Sequence, residues 1–263
     1  MPKKQVGAGR ITRRRKSNPT IDTATAYGAV DVGRMKQVRR RLLRWFGESG
    51  RSFFWREQNP DPFTVLVVEM LLTKTRAELV GQVGRELLDR YPNAHALSRA
   101  KPRDLQRVLY PLGLHRKRSK QLVLCAETLV RDFDGQVPST VAELLSLPYV
   151  GRYAANAVAC VAFGAAVAVI DANVSRIYQR MFSLPPPHER LALAHDLWTL
   201  ADRILPPRNA RAFNWAILDL GGTVCTPKSP TCSTCPVVAC CDLGRHETQG
   251  ESAALRAPGS VSR

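Results

Sequence analysis

Read for the period of its apolar positions, the chain is helical over most of its length. "MKQVRRRLLRWF" puts Val38, Leu42, Leu43 and Phe46 on one face and arginines on the other, the spacing of an amphipathic helix. "DPFTVLVVEMLL" opens with Asp61, suited to an N-cap, and Pro62 at the first helical position; Phe63, Leu66, Val67 and Met70 then keep helix spacing. The same reading predicts helices over 75–91, 102–110, 116–133, 140–147, 152–163, 172–182, 188–205 and 208–222. Short turns at "YPNA", "YPLGL" and "DGQVPS" part them. Almost nothing alternates with period two, and no unit repeats at solenoid spacing. An all-α protein follows. The longest apolar run, Ala154–Ile170, contains Asn156 and Gly164. It falls short of the ~20 residues of a membrane span and reads as a buried helix followed by a short extended segment.

Composition adds a partner class. At 263 residues and 44% hydrophobic, the chain can bury a sizeable core in one large or two modest domains. Its formal net charge is +17. Lys3, Lys4, Arg10, Arg13, Arg14, Arg15 and Lys16 crowd the start with no acid among them, and the remainder still carries +10 without those seven. A basic body with a basic arm points to a polyanion. A solubilising tail or an anionic membrane surface would give the same arm, but "HRKRSKQ" (115–121) continues the basic residues through the helical body and favours nucleic acid. Residues 1–31 are expected to be a disordered basic arm and 246–263 a disordered tail. No apolar stretch follows the first arginines, so no secretory signal is visible. The chain is expected to be intracellular, in a prokaryote cytoplasmic and nucleoid-associated, with no membrane partner.

Three stretches carry chemistry. Thr140 and Glu143 form a T-x-x-E capping box, Pro148 ends the helix it starts, and Gly151 lets the backbone turn into the next. Such a hairpin is an ordinary helix connection, or a place where amides at a helix N-terminus meet a phosphate. Four of seven cysteines are spaced Cys225-x6-Cys232-x2-Cys235-x5-Cys241. Thiols so crowded bind metal or cross-link, and an intracellular setting argues against disulfides. A zinc ribbon shows two C-x2-C pairs, and here there is one. Cys240 is the weaker fourth ligand, and Cys125 and Cys160 read as core. Asp171 precedes "ANVSR" as a helix cap would, while Glu69 stands in an apolar helix where a carboxylate either pairs with a base or does acid–base work.

"LPYVGRYAANAVACVAFG" followed by "VIDANVSRIYQR" resembles the helix-hairpin-helix DNA glycosylases of the endonuclease III superfamily, and the likeness runs from about Val32 to Asp242. Tyr149 departs from it, standing where the family has the hairpin's first glycine. The resemblance implies a six-helix barrel domain over 55–166, with the hairpin at 140–163. It implies an iron–sulfur domain from 32–54 and 167–245, and an active site in the cleft between the two. It implies a [4Fe–4S] cluster on Cys225, Cys232, Cys235 and Cys241, serving as a scaffold for DNA binding through Lys228. Asp171 would stabilise positive charge on the sugar, Asn173 would help hold the site, and Glu69 would be the second catalytic residue. Pro148, Val150, Gly151 and Arg152 would grip phosphate. Leu114 would be the wedge that fills the gap left by a flipped base, with Thr73 and Lys74 probing the widowed partner.

Tyr153 separates the branches. Bifunctional relatives have a lysine there, whose amine forms a Schiff base and cuts the strand. A tyrosine closes that route. Adenine glycosylases place a serine there, and the thymine–guanine mismatch branch a tyrosine. Residues 242–263 are too few for the extra C-terminal domain of an adenine glycosylase. The expectation is therefore a monomeric, monofunctional glycosylase that removes thymine or uracil opposite guanine from duplex DNA. An adenine glycosylase is the alternative, and a non-catalytic iron–sulfur DNA-binding protein the rival from another class.

Overall fold

The computed structural model describes residues 23–57, 59–187 and 190–247, and among them it is all helix and loop. The helices are α1 (Thr23–Gly28), α2 (Val32–Ser49), α3 (Pro62–Leu72), α4 (Ala77–Arg90), α5 (Ala94–Ser98), α6 (Pro102–Leu109), α7 (His115–Asp132), α8 (Val141–Ser146), α9 (Arg152–Phe163), α10 (Ala172–Phe182), α11 (His195–Ile204) and α12 (Ala210–Thr223), with 3₁₀ turns between α6 and α7, between α10 and α11, and in the cysteine loop after α12. Several boundaries are set by caps legible in the sequence. Asp61 accepts the Thr64 N–H at 2.7 Å ahead of α3, and Thr140 accepts the Glu143 N–H at 3.2 Å ahead of α8.

Two apolar clusters organise the molecule. One gathers Trp55, α3 to α9 and the loops between them; the other gathers Tyr27, Val30, α2 and α10 to α12. α9 belongs to both, giving Ala155, Val158 and Ala159 to the first and Cys160 to the second. That explains why it has no polar face over most of its length. α3 is apolar all round for the same reason: Val65 and Val68 are buried as fully as Leu66 and Val67.

Three expectations are corrected. The basic arm was expected to stay disordered to residue 31, yet α1 is ordered. Tyr27 and Val30 insert into the second cluster, the Tyr27 hydroxyl donates to Pro185 O at 2.8 Å, and Arg203 donates to the Gly28 carbonyl at 3.1 Å. Residues 1–22 and 248–263 lie outside the described residues. The helix expected over 188–205 breaks into a turn, Leu191–Leu193, before α11 begins at His195; 188 and 189 lie outside the described residues. "YPNA" is not only a turn, since Asn93 accepts the Ala96 N–H at 2.9 Å and starts α5.

Candidate active site

α3 brings a carboxylate where its neighbours demand none. Burying a Val or Leu contributes roughly 1.5–3 kcal/mol, whereas an ionised carboxylate without compensation costs several. Glu69 is 6% exposed, and its Oε2 is buried without a hydrogen-bond partner. Burial, with Asp171 adding to it, pushes its pKa up to about 7, against the pull of the Tyr153 hydroxyl and the Arg56 guanidinium. The Tyr153 hydroxyl, itself raised well above its ordinary range by burial and then by these carboxylates, stays protonated and hydrogen-bonds Glu69.

Asp171 reaches the same place from the other cluster. It caps α10 by accepting the Val174 N–H on Oδ1 at 2.8 Å, and its Oδ2 accepts from Asn173 Nδ2 at 2.7 Å. The cap and the site residue are therefore one side chain. The extended segment that delivers it has no strand beside it, and side chains satisfy its backbone instead. Asn214 accepts the Val169 N–H at 3.1 Å and donates to Val167 O at 2.9 Å, Asn156 donates to Ala168 O at 2.7 Å, and Asp202 accepts the Ala168 N–H at 3.0 Å. α10 approaches α12 so closely at Asn173 that a Cβ on Gly221 would lie 2.7 Å from the Asn173 Cβ.

Glu69, Tyr153, Asp171, Asn173, Thr73 and Lys74 line one cleft of about 840 Å³, walled also by Trp55, Trp198 and Trp215. Arg51 and Arg56 line it too, and neither was singled out from the sequence. Both pair with Asp219, which is wholly buried: Arg56 in a bidentate fork at 2.9 and 3.0 Å, Arg51 through Nε at 2.8 Å. Asp219 was legible by the signal that marked Glu69, a lone acid in an apolar helix, "AILDLGG".

The other expected site residues lie outside that lining. In the hairpin, Val150 is buried and Arg152 lays its guanidinium over Trp198, 4.1 Å from the ring. Pro148 is half-buried ahead of the turn. Gly151 is in extended backbone, so the turn does not need its glycine; the left-handed residue is Tyr149, at φ +65°. What Gly151 provides is a start to α9 with no side-chain cap, leaving the first amides of that helix to other partners. Leu114 is 63% exposed on a separate loop. Lys228 is exposed in a loop pinned by Arg180, which donates to Thr226 O at 2.7 Å and Pro227 O at 2.8 Å.

The four cysteine thiols converge next to α10. Burial and then the thiols of Cys241, Cys225 and Cys232 push Cys235 up to about 12. Arg180 Nη1 and the Gly244 N–H lie 3.4 and 3.3 Å from the Cys225 and Cys241 sulfurs. Cys240 turns away, buried in the core with its sulfur 3.5 Å from Gln37. Among the described residues no three His, Cys, Asp or Glu side chains close round a single ion. Ligands of one ion would sit about 2.3 Å from it. Four cysteine sulfurs in one loop are a donor set of the kind that holds a metal–sulfide core.

Residues 67–202 match the family model for the HhH-GPD superfamily of base excision DNA repair proteins. The chain belongs to this superfamily. A thymine-DNA glycosylase of Aeropyrum pernix is 35% identical over 215 residues, covering 81% of this chain and 96% of that protein. An adenine DNA glycosylase of Mycolicibacterium smegmatis is 36% identical over 199 residues, covering 76% and 67%. The solved structure of a thermostable thymine-DNA glycosylase superposes with a TM-score of 0.76 at 28% identity, covering 81% and 98%. A non-covalent endonuclease III–DNA complex, 21% identical, shares the fold with a TM-score of 0.72 over 84% and 99%. The chain is a DNA glycosylase of base excision repair, and the cleft between α3, α9 and α10 is its candidate active site. Among the described residues, no helix is long and apolar enough to cross a membrane.

Proposed function

We propose that this glycosylase removes thymine or uracil opposite guanine from duplex DNA by hydrolysis, without cutting the strand. The observation that carries the reading is the residue against Glu69: a tyrosine hydroxyl, which cannot form a Schiff base, where bifunctional relatives have an amine. In this reading the base leaves the stack and enters the cleft. Glu69, half protonated near neutral pH, gives its proton to the departing base as the N-glycosidic bond breaks. Asp171, held by Val174 and Asn173, faces the positive charge that grows on the sugar. Water then bonds to C1′ and yields its proton to the Glu69 carboxylate, which restores the acid. Tyr153 orients Glu69 throughout and takes no covalent part.

Duplex DNA with a mismatched base is the partner, gripped by the uncapped start of α9 and by the basic surface, and the enzyme works as an intracellular monomer. Cys225, Cys232, Cys235 and Cys241 would hold a [4Fe–4S] cluster, which when bound orders the loop that presents Lys228. Similarity to adenine DNA glycosylases at 36% identity supports a second reading, adenine opposite guanine or 8-oxoguanine. Single-turnover assays on T·G, U·G, A·G and A·8-oxoguanine duplexes, each read before and after alkali, separate the two. Free thymine or uracil with strand breaks only after alkali is the expected result. Excision of adenine with T·G untouched would install the second reading. Tyr153→Lys is expected to confer strand cleavage and borohydride trapping; breaks made by the unaltered enzyme without alkali would end the hydrolytic assignment.

A further inference from the structure

Arg118 is 6% exposed and has no carboxylate among the acceptors it reaches. A buried guanidinium is costly unless its donors are satisfied. Those of Arg118 are spent on the last turn of α3 and two loops: Nη1 on Leu71 O at 3.1 Å, Nη2 on Thr73 O at 3.0 Å and Thr75 Oγ1 at 2.6 Å, and Nε on Gly113 O at 3.1 Å. Two of these carbonyls, Leu71 and Thr73, end α3, where a cation is favoured.

Both loops are strained at the same place. Lys74 sits at φ +59° and Leu114 at φ +50°, directly after Gly113 at φ +70°. A left-handed non-glycine residue costs of order 1 kcal/mol or more and persists only where its surroundings dictate it. Leu114 is also an aliphatic side chain held 63% in solvent, and Thr73 and Lys74 are exposed beside the cleft mouth. The strained tips thus project from the surface, and beneath them lies Arg118, a side chain bonded to both loops.

We propose that Arg118 is a positioning residue that fixes the spacing between the Leu114 tip and the Thr73–Lys74 tip, so that both enter the duplex together when a base is extruded. The proposal rests on the reading of these tips as DNA-inserting elements. Arg118 itself touches no DNA. One planar fork bonded to both loops makes the two tips a single two-pronged element, which lowers the ordering cost of insertion.

The test uses the full chain and a duplex holding an abasic-site analogue with 2-aminopurine beside it, so that it does not depend on which base is excised. The unaltered enzyme is expected to raise the fluorescence on binding as the neighbour is unstacked. Arg118→Met should cut that rise at least ~3-fold while affinity for undamaged duplex stays within about 2-fold, since phosphate contacts supply most of that affinity. Thr75→Val removes one acceptor from an accessible position and should give a smaller loss in the same direction, which keeps the test open if Arg118→Met folds poorly. Arg118→Lys, with donors but no fork, should recover part of the rise. In a Leu114→Ala background Arg118→Met should cost little more, because the two act as a unit. A full rise in Arg118→Met and Thr75→Val, or a loss matched by equal weakening on undamaged duplex, would overturn the proposal. A full rise in Leu114→Ala would instead remove the wedge reading on which it stands.

Discussion

Glu69 and Asp171 are both carboxylates in one cleft, and in the proposed mechanism their different surroundings give them different tasks. Glu69, with its Oε2 unpartnered and its pKa near 7, is an acid at neutral pH. The rate of excision should therefore fall along a limb centred near pH 7 as that proton is lost, and Glu69→Gln should abolish the limb together with most of the activity. Stability moves in the same direction. A carboxyl raised from 4.5 in the unfolded chain to about 7 favours the folded state below 4.5, and that contribution is lost as pH climbs through 7. Glu69→Gln should thus gain on the unaltered enzyme between about pH 5 and pH 8, by up to ~3 kcal/mol, in denaturant titrations. A flat difference would show that the carboxyl is not desolvated as described. Asp171→Asn keeps one acceptor for the Val174 amide but loses the charge. Excision should drop at least ~100-fold with mismatch binding retained. Glu69 stood out in the sequence as an acid inside an apolar helix, whereas Asp171 read as an ordinary helix cap and became a candidate only through the resemblance. Arg51 and Arg56 did not stand out, since arginines beside aromatics read as ordinary surface until Asp219 is seen buried between them.

At the scale of elements, period and caps foretold most helices. What they could not foretell is informative. α5 is too short for a period to register, and α1 depends on distant partners, Arg203 of α11 and Pro185 in the loop after α10, rather than on its own sequence. Residues 167–169 read as merely extended, because the asparagines and aspartate that hold them come from α9, α11 and α12. Likewise the turn's demand for a left-handed residue falls on Tyr149, which the resemblance marked as a departure without saying what it cost. Gly221 shows how an element boundary reaches the chemistry. Its added Cβ in Gly221→Ala would meet the Asn173 Cβ at 2.7 Å, and since both atoms sit on helices, α10 must shift from α12. Overpacking of this kind costs typically 1–3 kcal/mol. The expected outcome is a lower melting temperature together with an excision defect larger than a stability loss alone would give, because Asp171 rides at the start of α10. Unchanged turnover in that variant would mean the carboxylate is indifferent to the helix that carries it.

The molecule as a whole joins the candidate cleft to a strongly basic chain, and α10 is the piece common to the cleft and the cysteine loop. Asp171 stands at its start, while Arg176, along it, donates to the Cys225 carbonyl at 2.8 Å and Arg180 braces Thr226 and Pro227. If the four thiols hold a [4Fe–4S] cluster, purified protein should be brown with on the order of four irons per chain. Each of Cys225→Ser, Cys232→Ser, Cys235→Ser and Cys241→Ser should lose iron, while Cys240→Ser, whose sulfur faces Gln37, should keep it. One zinc and no iron in the purified protein would overturn the assignment.

The charge is the feature least dependent on any of this geometry, and it makes the last expectation. Seven of the positive charges lie within the first sixteen residues, so removing 1–16 lowers the formal charge from +17 to +10 and leaves every residue of the cleft in place. Each lost phosphate contact should reduce the slope of log affinity against log salt by about 0.9. Phosphates are the same in matched and mismatched duplex, so affinity for both should weaken by the same factor, and excision from a bound T·G duplex should proceed at its former rate. Titrations across a range of salt, on paired and mismatched DNA, read both quantities. A truncation that altered the preference for mismatch, with the salt slope unmoved, would make the arm a reader of the lesion instead of an electrostatic handle.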